Sequence, residues 1–255
     1  ESDVAIMVLG GNEKTVREEY SRTNLDLCGR QEKLLQAGYA TGKPVILVMI
    51  DGRAATINWA ERYIPGIVHA LFPGEFMGDA IAKVIFGDYN PGGKLAVTFP
   101  RSVGQIPFAF PFKPGSDSKG FVRVTGSLYP FGYGLSYTTF DYSALKIENP
   151  VIGTQGSVKL SCRVKNTGKI AGDEVVQLYL HDEVSSVTTY VKVLRGFERI
   201  HLQPGEEKVV DFVLTPQDMG LWNKDNHFIV EPGTFAVMVG SSSQDIRLQG
   251  KFEVK

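Results

Sequence analysis

The sequence has 255 residues, a formal net charge of −1 and 43% hydrophobic residues. This length predicts one or two domains, and the apolar fraction is that of a globular protein with a buried core. The near-neutral charge argues against a nucleic-acid partner, and no apolar run reaches the about 18 residues that a membrane-spanning helix needs. The chain opens on Glu1-Ser2-Asp3 without an initiator methionine, so we expect a fragment or a processed piece.

The first part of the chain alternates apolar runs with helical patterns. Residues 4–9 and 44–50 are continuous apolar runs, which are typical of strands buried on both faces of a parallel sheet. Residues 31–39 between them predict a helix. A shorter run, residues 66–71, predicts a third strand.

The clearest helix signal follows this third strand. Apolar residues recur there with helical spacing and form one stripe: Met77, Ala80, Ile81, Val84 and Ile85. After a turn at residues 90–93, residues 95–99 predict a last strand. Together these patterns predict an α/β sandwich domain, mostly parallel and incomplete, over residues 1–99.

The pattern then changes twice. Residues 100–137 are rich in proline, glycine and aromatic residues, and a connection this long is either functional or a linker. Residues 138–255 carry short alternating apolar runs separated by turn residues, for example residues 158–165. About seven such strands are typical of an immunoglobulin-like or fibronectin type III-like all-β sandwich.

Neither a metal site nor a cofactor is expected. Cys28 and Cys162 form no Cys-x-x-Cys motif and fall in different predicted domains, so we expect no disulfide between them. Gly10-Gly11 follows a strand but lacks the third glycine of a dinucleotide-binding fingerprint.

A charged loop, residues 15–27, lies between the first predicted strand and the first predicted helix. Glu18 and Glu19 are flanked there by Arg17 and Arg22. The carboxyl ends of parallel strands are where α/β sheets bind ligands, and carboxyl groups near cations can perform acid/base chemistry. The alternative is a solvated loop with surface ion pairs, which is what most charged loops are.

Several strings of residues resemble family 3 glycoside hydrolases. Residues 18–27 are similar to the acid/base loop of that family, and the similarity runs along the whole chain. The other matching stretches are residues 86–95, 99–107, 129–138, 164–168, 172–179 and 194–197. The resemblance implies a β-glucosidase or β-xylosidase of the multidomain form, with a (β/α)8 barrel, an α/β sandwich and a fibronectin type III-like domain.

The resemblance also implies roles for individual residues. Glu18, four residues before Arg22, matches the general acid/base of the family, and Glu19 is the fallback because a loop can be misaligned by one position. The nucleophilic aspartate of the family lies on the N-terminal barrel, outside this chain. Retaining glycosidases need both carboxyl groups, about 5–5.5 Å apart. Residues that bind substrate are not identified in this chain.

The implied partners are a β-linked oligosaccharide or glycoside as substrate, and the N-terminal barrel portion of the same enzyme. The resemblance implies a periplasmic or secreted location and leaves a homodimer open. Departures from the family pattern, such as Ser21, Cys28 and Asp51, leave open whether glucose or xylose is preferred. Asp51 itself is explained by a turn-forming Asp-Gly pair.

Two alternatives remain. The chain could be a non-catalytic structural or carbohydrate-binding module of a glycosidase. It could also belong to a family branch that carries a His-Asp acid/base on the barrel. The carboxylates of the loop and the attached sandwich argue against that branch.

Overall fold

The computed structural model describes residues 2–19, 21–115 and 124–255. These residues form two compact units. The first draws on residues 2–89, 98–108 and 124–129, and the second on residues 90–97, 109–115 and 130–255. The domain limits given above, with a connection at residues 100–137, remain predictions.

The first unit alternates strands and helices. Within the residues that the structure describes, its elements are β1 (Ala5–Gly10), α1 (Gln31–Ala40), β2 (Val45–Ile50), α2 (Asn58–Tyr63), β3 (Gly66–His69), α3 (Met77–Phe86) and a 3₁₀ turn (Val103–Gln105). The strands pair in the order β1-β2-β3, and both pairs are parallel. The α/β sheet expected from the apolar runs is therefore confirmed, whereas α2 was not predicted.

The central strand β2 carries the core of this sheet. Leu47, Val48 and Met49 are fully buried, as expected for a strand with neighbours on both sides. Helix α1 packs on β1 through Gly38, where an added Cβ would lie 2.6 Å from the Met7 sulfur. The alternate residues of β1 face outwards, and Val8 is 58% exposed.

Helix α3 forms as its apolar stripe predicts and ends at Gly87, whose left-handed φ of 85° is a common helix stop. None of its residues is buried. Phe76 before the helix and Phe86 at its end are both largely exposed. Most residues of the stripe are half-buried, so the stripe is only partly covered within the described residues of the first unit.

The prediction of a strand at residues 95–99 is wrong. The Leu95 N–H donates to the Tyr133 carbonyl, and Leu95 accepts from the Gly132 N–H, so this segment pairs with a loop of the second unit. Phe99 returns to the first unit, where its backbone forms an isolated bridge with Tyr129. An apolar run of five residues therefore serves two separate partners instead of one sheet.

The second unit is a β-sandwich. Its described elements are β4 (Phe140–Glu148), β5 (Val151–Ile152), β6 (Val158–Asn166), β7 (Gly172–Asp182), β8 (Val193–Leu202), β9 (Glu207–Leu214), α4 (Pro216–Met219), β10 (Leu221–Trp222), β11 (Phe228–Ile229), β12 (Gly233–Gly240) and β13 (Ile246–Val254). A five-stranded sheet, β5-β13-β12-β7-β8, and a three-stranded sheet, β4-β6-β9, enclose one core. The sandwich is confirmed: the described residues form the seven longer strands expected, and three further strands of only two residues each were not predicted.

Two polar side chains fasten the preceding segment to the sandwich. Lys94 forms a buried ion pair with Glu174 of β7 at 3.1 Å and donates to the Gly134 carbonyl. The Asn90 amide donates to the Ala171 carbonyl, while its oxygen accepts from Ser136. A buried pair of this kind holds its segment firmly because losing one partner would leave the other charge uncompensated.

Cys28 and Cys162 are both free thiols. Among the described residues, no helix is long and apolar enough to cross a membrane. The same part of the chain holds no group of three or more histidine, cysteine or acidic residues that could bind a metal.

Candidate active-site loop

The loop that carries Glu18 begins and ends at a two-point clamp. The Gln31 side chain accepts from the Gly10 N–H at 2.7 Å and donates to the Gly10 carbonyl at 2.8 Å. Gln31 opens α1, so this amide joins the last residue of β1 to the first residue of the helix. Both backbone groups of Gly10 are thus satisfied at the sheet edge, and the 20 residues between form a closed loop.

The two glycines at the start of the loop allow the end of β1 to pack closely against β2. Gly10 has φ of 134°, and a Cβ there would lie 2.1 Å from the Ile50 carbonyl oxygen. The Gly11 N–H donates to the same oxygen at 2.9 Å. Only glycine lets the end of β1 approach β2 in this way, so the pair needs no bound dinucleotide to explain it.

The outgoing part of the loop folds around Asn12. Its carbonyl accepts from the Thr15 and Val16 N–H groups, and its side-chain oxygen accepts from the Lys14 N–H at 2.9 Å. Asparagine favours such turns because its side chain bonds to the backbone two residues ahead. This turn brings the chain to Val16, two residues before Glu18.

The returning part is held by Thr56, in the loop that follows β2. The Thr56 N–H donates to the Leu25 carbonyl at 2.9 Å, and its hydroxyl donates to the Asp26 carboxylate at 2.5 Å. Arg22 donates to the Asn24 side chain and to the Asp26 carbonyl. The returning part is therefore fixed both internally and to the sheet edge.

Glu18 and Glu19 lie between these fixed parts, and both side chains are exposed. Glu19 has φ of 66°, a left-handed conformation that is uncommon outside glycine and marks a sharp turn. The structure thus presents the two candidate acids at the tip of a loop whose base is clamped.

Asp51 follows β2 at the same edge and is 2% exposed. Its carboxylate accepts from the Arg53 N–H at 3.1 Å, which agrees with the turn expected from Asp-Gly. Burial raises the pKa of Asp51 above its usual range, although this hydrogen bond and the charges of Arg22 and Arg53 oppose the effect. The sequence pattern identified the turn but not the burial.

His69 ends β3 and is partly buried, with its ring edge-on to Phe99 at 4.9 Å. Neither ring nitrogen has a hydrogen-bond partner among the described residues. Burial lowers the pKa of His69, which keeps the ring neutral. His69 therefore contributes packing against Phe99 at the end of β3.

The structure therefore brings the predicted loop to the carboxyl edge of the sheet, as expected. Sequence reasoning missed Gln31 and Thr56, because a glutamine at a helix start and a threonine in a loop have many ordinary uses. The assignment of Glu18 over Glu19 stays a prediction.

Comparison with known proteins identifies the family. Residues 1–137 match the model of the glycosyl hydrolase family 3 C-terminal domain, which is more than half of the chain. The chain belongs to glycosyl hydrolase family 3. Residues 174–243 of this family 3 chain also match a fibronectin type III-like domain, in agreement with the sandwich.

Relatives of this family 3 chain carry glycosidase names. It is 47% identical to a β-xylosidase of Formosa agariphila over 95% of this chain and 34% of that protein. It is 42% identical to a periplasmic β-glucosidase of Salmonella typhimurium over 100% of this chain and 34% of the relative. The chain thus spans about a third of the length of the curated relatives it matches.

Solved structures of two β-glucosidases share the fold. One, from Erythrobacter marinus, has a TM-score of 0.95 and 42% identity, covering 99% of this chain and 34% of that one. The other, from Listeria innocua in complex with glucose, has a TM-score of 0.94 and 31% identity, covering 99% and 36%. Both agree with a family 3 chain that corresponds to one part of a larger enzyme.

Proposed function

We propose that this chain is the acid/base-bearing part of a retaining exo-β-glycosidase that removes terminal β-glucosyl or β-xylosyl residues. Glu18 is the general acid/base in this proposal, and the nucleophilic aspartate lies on an N-terminal barrel. The observation that supports it best is the presentation of Glu18. An exposed carboxyl group stands at the tip of a clamped loop, at the sheet edge where α/β folds bind ligands.

The geometry suits a residue that must act on a substrate held by another part of the enzyme. In the first step the acid gives its proton to the departing glycosidic oxygen while the nucleophile attacks the anomeric carbon. In the second step the resulting carboxylate takes a proton from water, which displaces the nucleophile. Glu18 must reach out of its own unit for both steps. Its exposed position allows that reach, while the anchored base of the loop limits the conformations that the loop can adopt.

The remaining partners follow from the same proposal. The substrate is a β-linked oligosaccharide or glycoside, and the working enzyme includes the barrel portion. A periplasmic or secreted location is supported by the name of the Salmonella typhimurium relative. Fractionation of the producing cells, with a cytoplasmic marker as control, tests the location.

Glu18→Gln in the full-length enzyme tests the central assignment. We expect hydrolysis of alkyl β-glycosides, whose leaving groups need a proton, to fall by about 10²–10⁴-fold. Dinitrophenyl glycosides should lose less in the first step because their leaving groups depart unprotonated. Azide should restore the second step, since it attacks the glycosyl-enzyme without losing a proton.

Two variants of the same loop serve as controls. Glu13→Gln changes another exposed carboxyl group and should leave all rates unchanged. If Glu19→Gln is inactive while Glu18→Gln resembles the unmodified enzyme, the acid is Glu19. The 255-residue chain alone should hydrolyse neither aryl β-glucoside nor aryl β-xyloside, because one carboxyl group cannot perform a double displacement. Turnover by that chain as a homogeneous monomer would contradict the proposal.

A further inference from the structure

We propose that Val16 is a positioning residue for the acid/base loop, and that Gly11 and Gly52 form the socket that receives it. This inference rests on the proposed function, because it assigns the means by which Glu18 is held at its working position. Val16 lies only two residues before Glu18, so a shift of its backbone is passed almost directly to the acid.

The first wall of the socket is Gly11, just beyond β1. A Cβ at Gly11 would lie 2.0 Å from one methyl carbon of Val16 and 3.0 Å from the Asp51 carboxylate. Such distances are far inside van der Waals contact, so Val16 occupies the space that any other residue at position 11 would need. Valine has few rotamers to turn aside, because it is branched at Cβ.

The second wall is Gly52, just beyond β2. A Cβ there would lie 2.9 Å from the other methyl carbon of Val16 and 2.7 Å from the end of the Phe72 ring. Phe72 is exposed and can swing away, whereas Val16 cannot move without its loop. The two methyl groups thus each fit against one glycine, and these glycines follow the ends of two adjacent strands of one sheet.

The socket is the apolar counterpart of the polar anchors. The clamp of Gln31 on Gly10 fixes the loop ends, and Thr56 fixes the returning part at Leu25. Neither restrains the outgoing part between the Asn12 turn and Glu18. Val16 in its socket supplies that restraint, so the socket sets where the acid stands.

Gly52→Ala in the full-length enzyme tests the proposal. Neither Gly11 nor Gly52 has the left-handed φ that disfavours alanine, so the added methyl group acts through space alone. We expect kcat/KM for an alkyl β-glycoside to fall about 10–100-fold, and that for a dinitrophenyl glycoside less than about 3-fold. Gly78→Ala, where nothing lies within 4 Å of an added Cβ, is the matched control and should change neither.

Combining Gly52→Ala with a smaller residue at position 16 distinguishes a positioning role of Val16 from a general loss of folding. Val16→Ala removes the methyl carbon that Gly52→Ala would strike, so the double variant should recover to within about 3-fold of Val16→Ala alone on the alkyl glycoside. Hydrogen exchange of the segment 12–19 should rise in Gly52→Ala and not in Gly78→Ala. Should Gly52→Ala not fold, Val16→Ala supplies the test, with faster exchange and a smaller loss confined to the alkyl glycoside.

The outcomes distinguish this proposal from the proposed function. If Glu18→Gln shows the leaving-group dependence and Gly52→Ala changes neither the alkyl-to-dinitrophenyl ratio nor exchange, the socket proposal is overturned. A double variant no better than Gly52→Ala would also overturn it. If Glu18→Gln lacks that dependence while Gly52→Ala speeds exchange and the double variant reverses it, the proposed function fails and the socket stands.

Discussion

The two units of this chain bury their apolar residues to very different degrees. In the sandwich, Val237 of β12 is completely buried, and the core residues all come from residues 142–254. In the first unit, Val8 of β1 is 58% exposed and α3 has no buried residue. Both valines lie in regular strands with good alternation.

From this difference we expect the sandwich to fold by itself and the three-stranded sheet not to. A parallel sheet normally has helices on both faces, and a bare apolar edge strand is prone to aggregate. The first unit also carries the proposed acid. The region proposed to supply the acid is thus the region whose packing is less complete within this chain.

Expression of the two parts of the chain as separate proteins should give the largest difference between them. We expect residues 138–255 alone to give a β-rich spectrum and a cooperative melt, because their core is contained within them. We expect residues 1–137 alone to be insoluble or molten, since β1 would keep its outward apolar side chains in water and the exposed Phe76 and Phe86 flank α3. Circular dichroism and size-exclusion chromatography are sufficient measurements.

The result for each separately expressed part can be interpreted directly. A soluble, monomeric and cooperatively melting product from residues 1–137 would contradict the comparison. A molten product from residues 138–255 would mean that the sandwich depends on the segments around Lys94 and Gly134. Trp59 and Trp222, one in each unit, allow the intact chain to be followed by fluorescence of single-tryptophan variants.

The fold could be predicted largely from apolar patterns. Continuous runs identified β1 and β2, and alternation identified β6, although only the run of β2 corresponds here to burial on both faces, since alternate residues of β1 are exposed. Residues 95–99 failed because a short apolar run does not reveal which partner it will meet. Helix α2 was missed because six residues carry too little periodicity to distinguish it from a loop.

The candidate site was only partly predictable. The charged loop and its place at the sheet edge follow from local sequence and the order of elements. Gln31 and Thr56 bind the loop across 21 and 30 residues of sequence, and the local sequence at neither position predicts that contact. Gly10-Gly11 was noticed only as an incomplete dinucleotide-binding fingerprint, and nothing in the sequence showed that Gly10 packs against the Ile50 carbonyl.

A matched pair of valine substitutions sharpens the comparison further. Val237→Ala should destabilise the sandwich by roughly 2–3 kcal/mol, because it removes two buried methyl groups and leaves a cavity. Val8→Ala would cost less than about 0.5 kcal/mol if its face met water in the working enzyme. We expect it to cost as much as Val237→Ala in the full-length enzyme, where we infer that another segment covers β1.

Denaturant unfolding of the full-length variants measures both effects, with unchanged m-values as the check that the unfolded states are comparable. A small cost for Val8→Ala would show that β1 remains an exposed edge. The inference that its outer face is covered would then be wrong.

The smallest expected effect concerns Asp51, the buried carboxyl group beside the loop. Because its pKa is raised in the folded protein, the folded state holds this proton more tightly than the unfolded one, and stability falls as pH rises above the ordinary value of 3.8.

Asp51→Asn keeps an oxygen to accept from the Arg53 N–H and removes the buried charge. The variant should therefore melt higher at pH 7, by less than about 4 °C. The advantage should shrink as the pH falls and the native carboxyl group takes up its proton. Asp3→Asn, at an exposed position, is the control and should shift the melt at neither pH. Melts of the full-length enzyme from pH 4 to 8 measure the effect, and a variant less stable than the unmodified protein at pH 7 would mean that Arg22 and Arg53 outweigh the cost of burial.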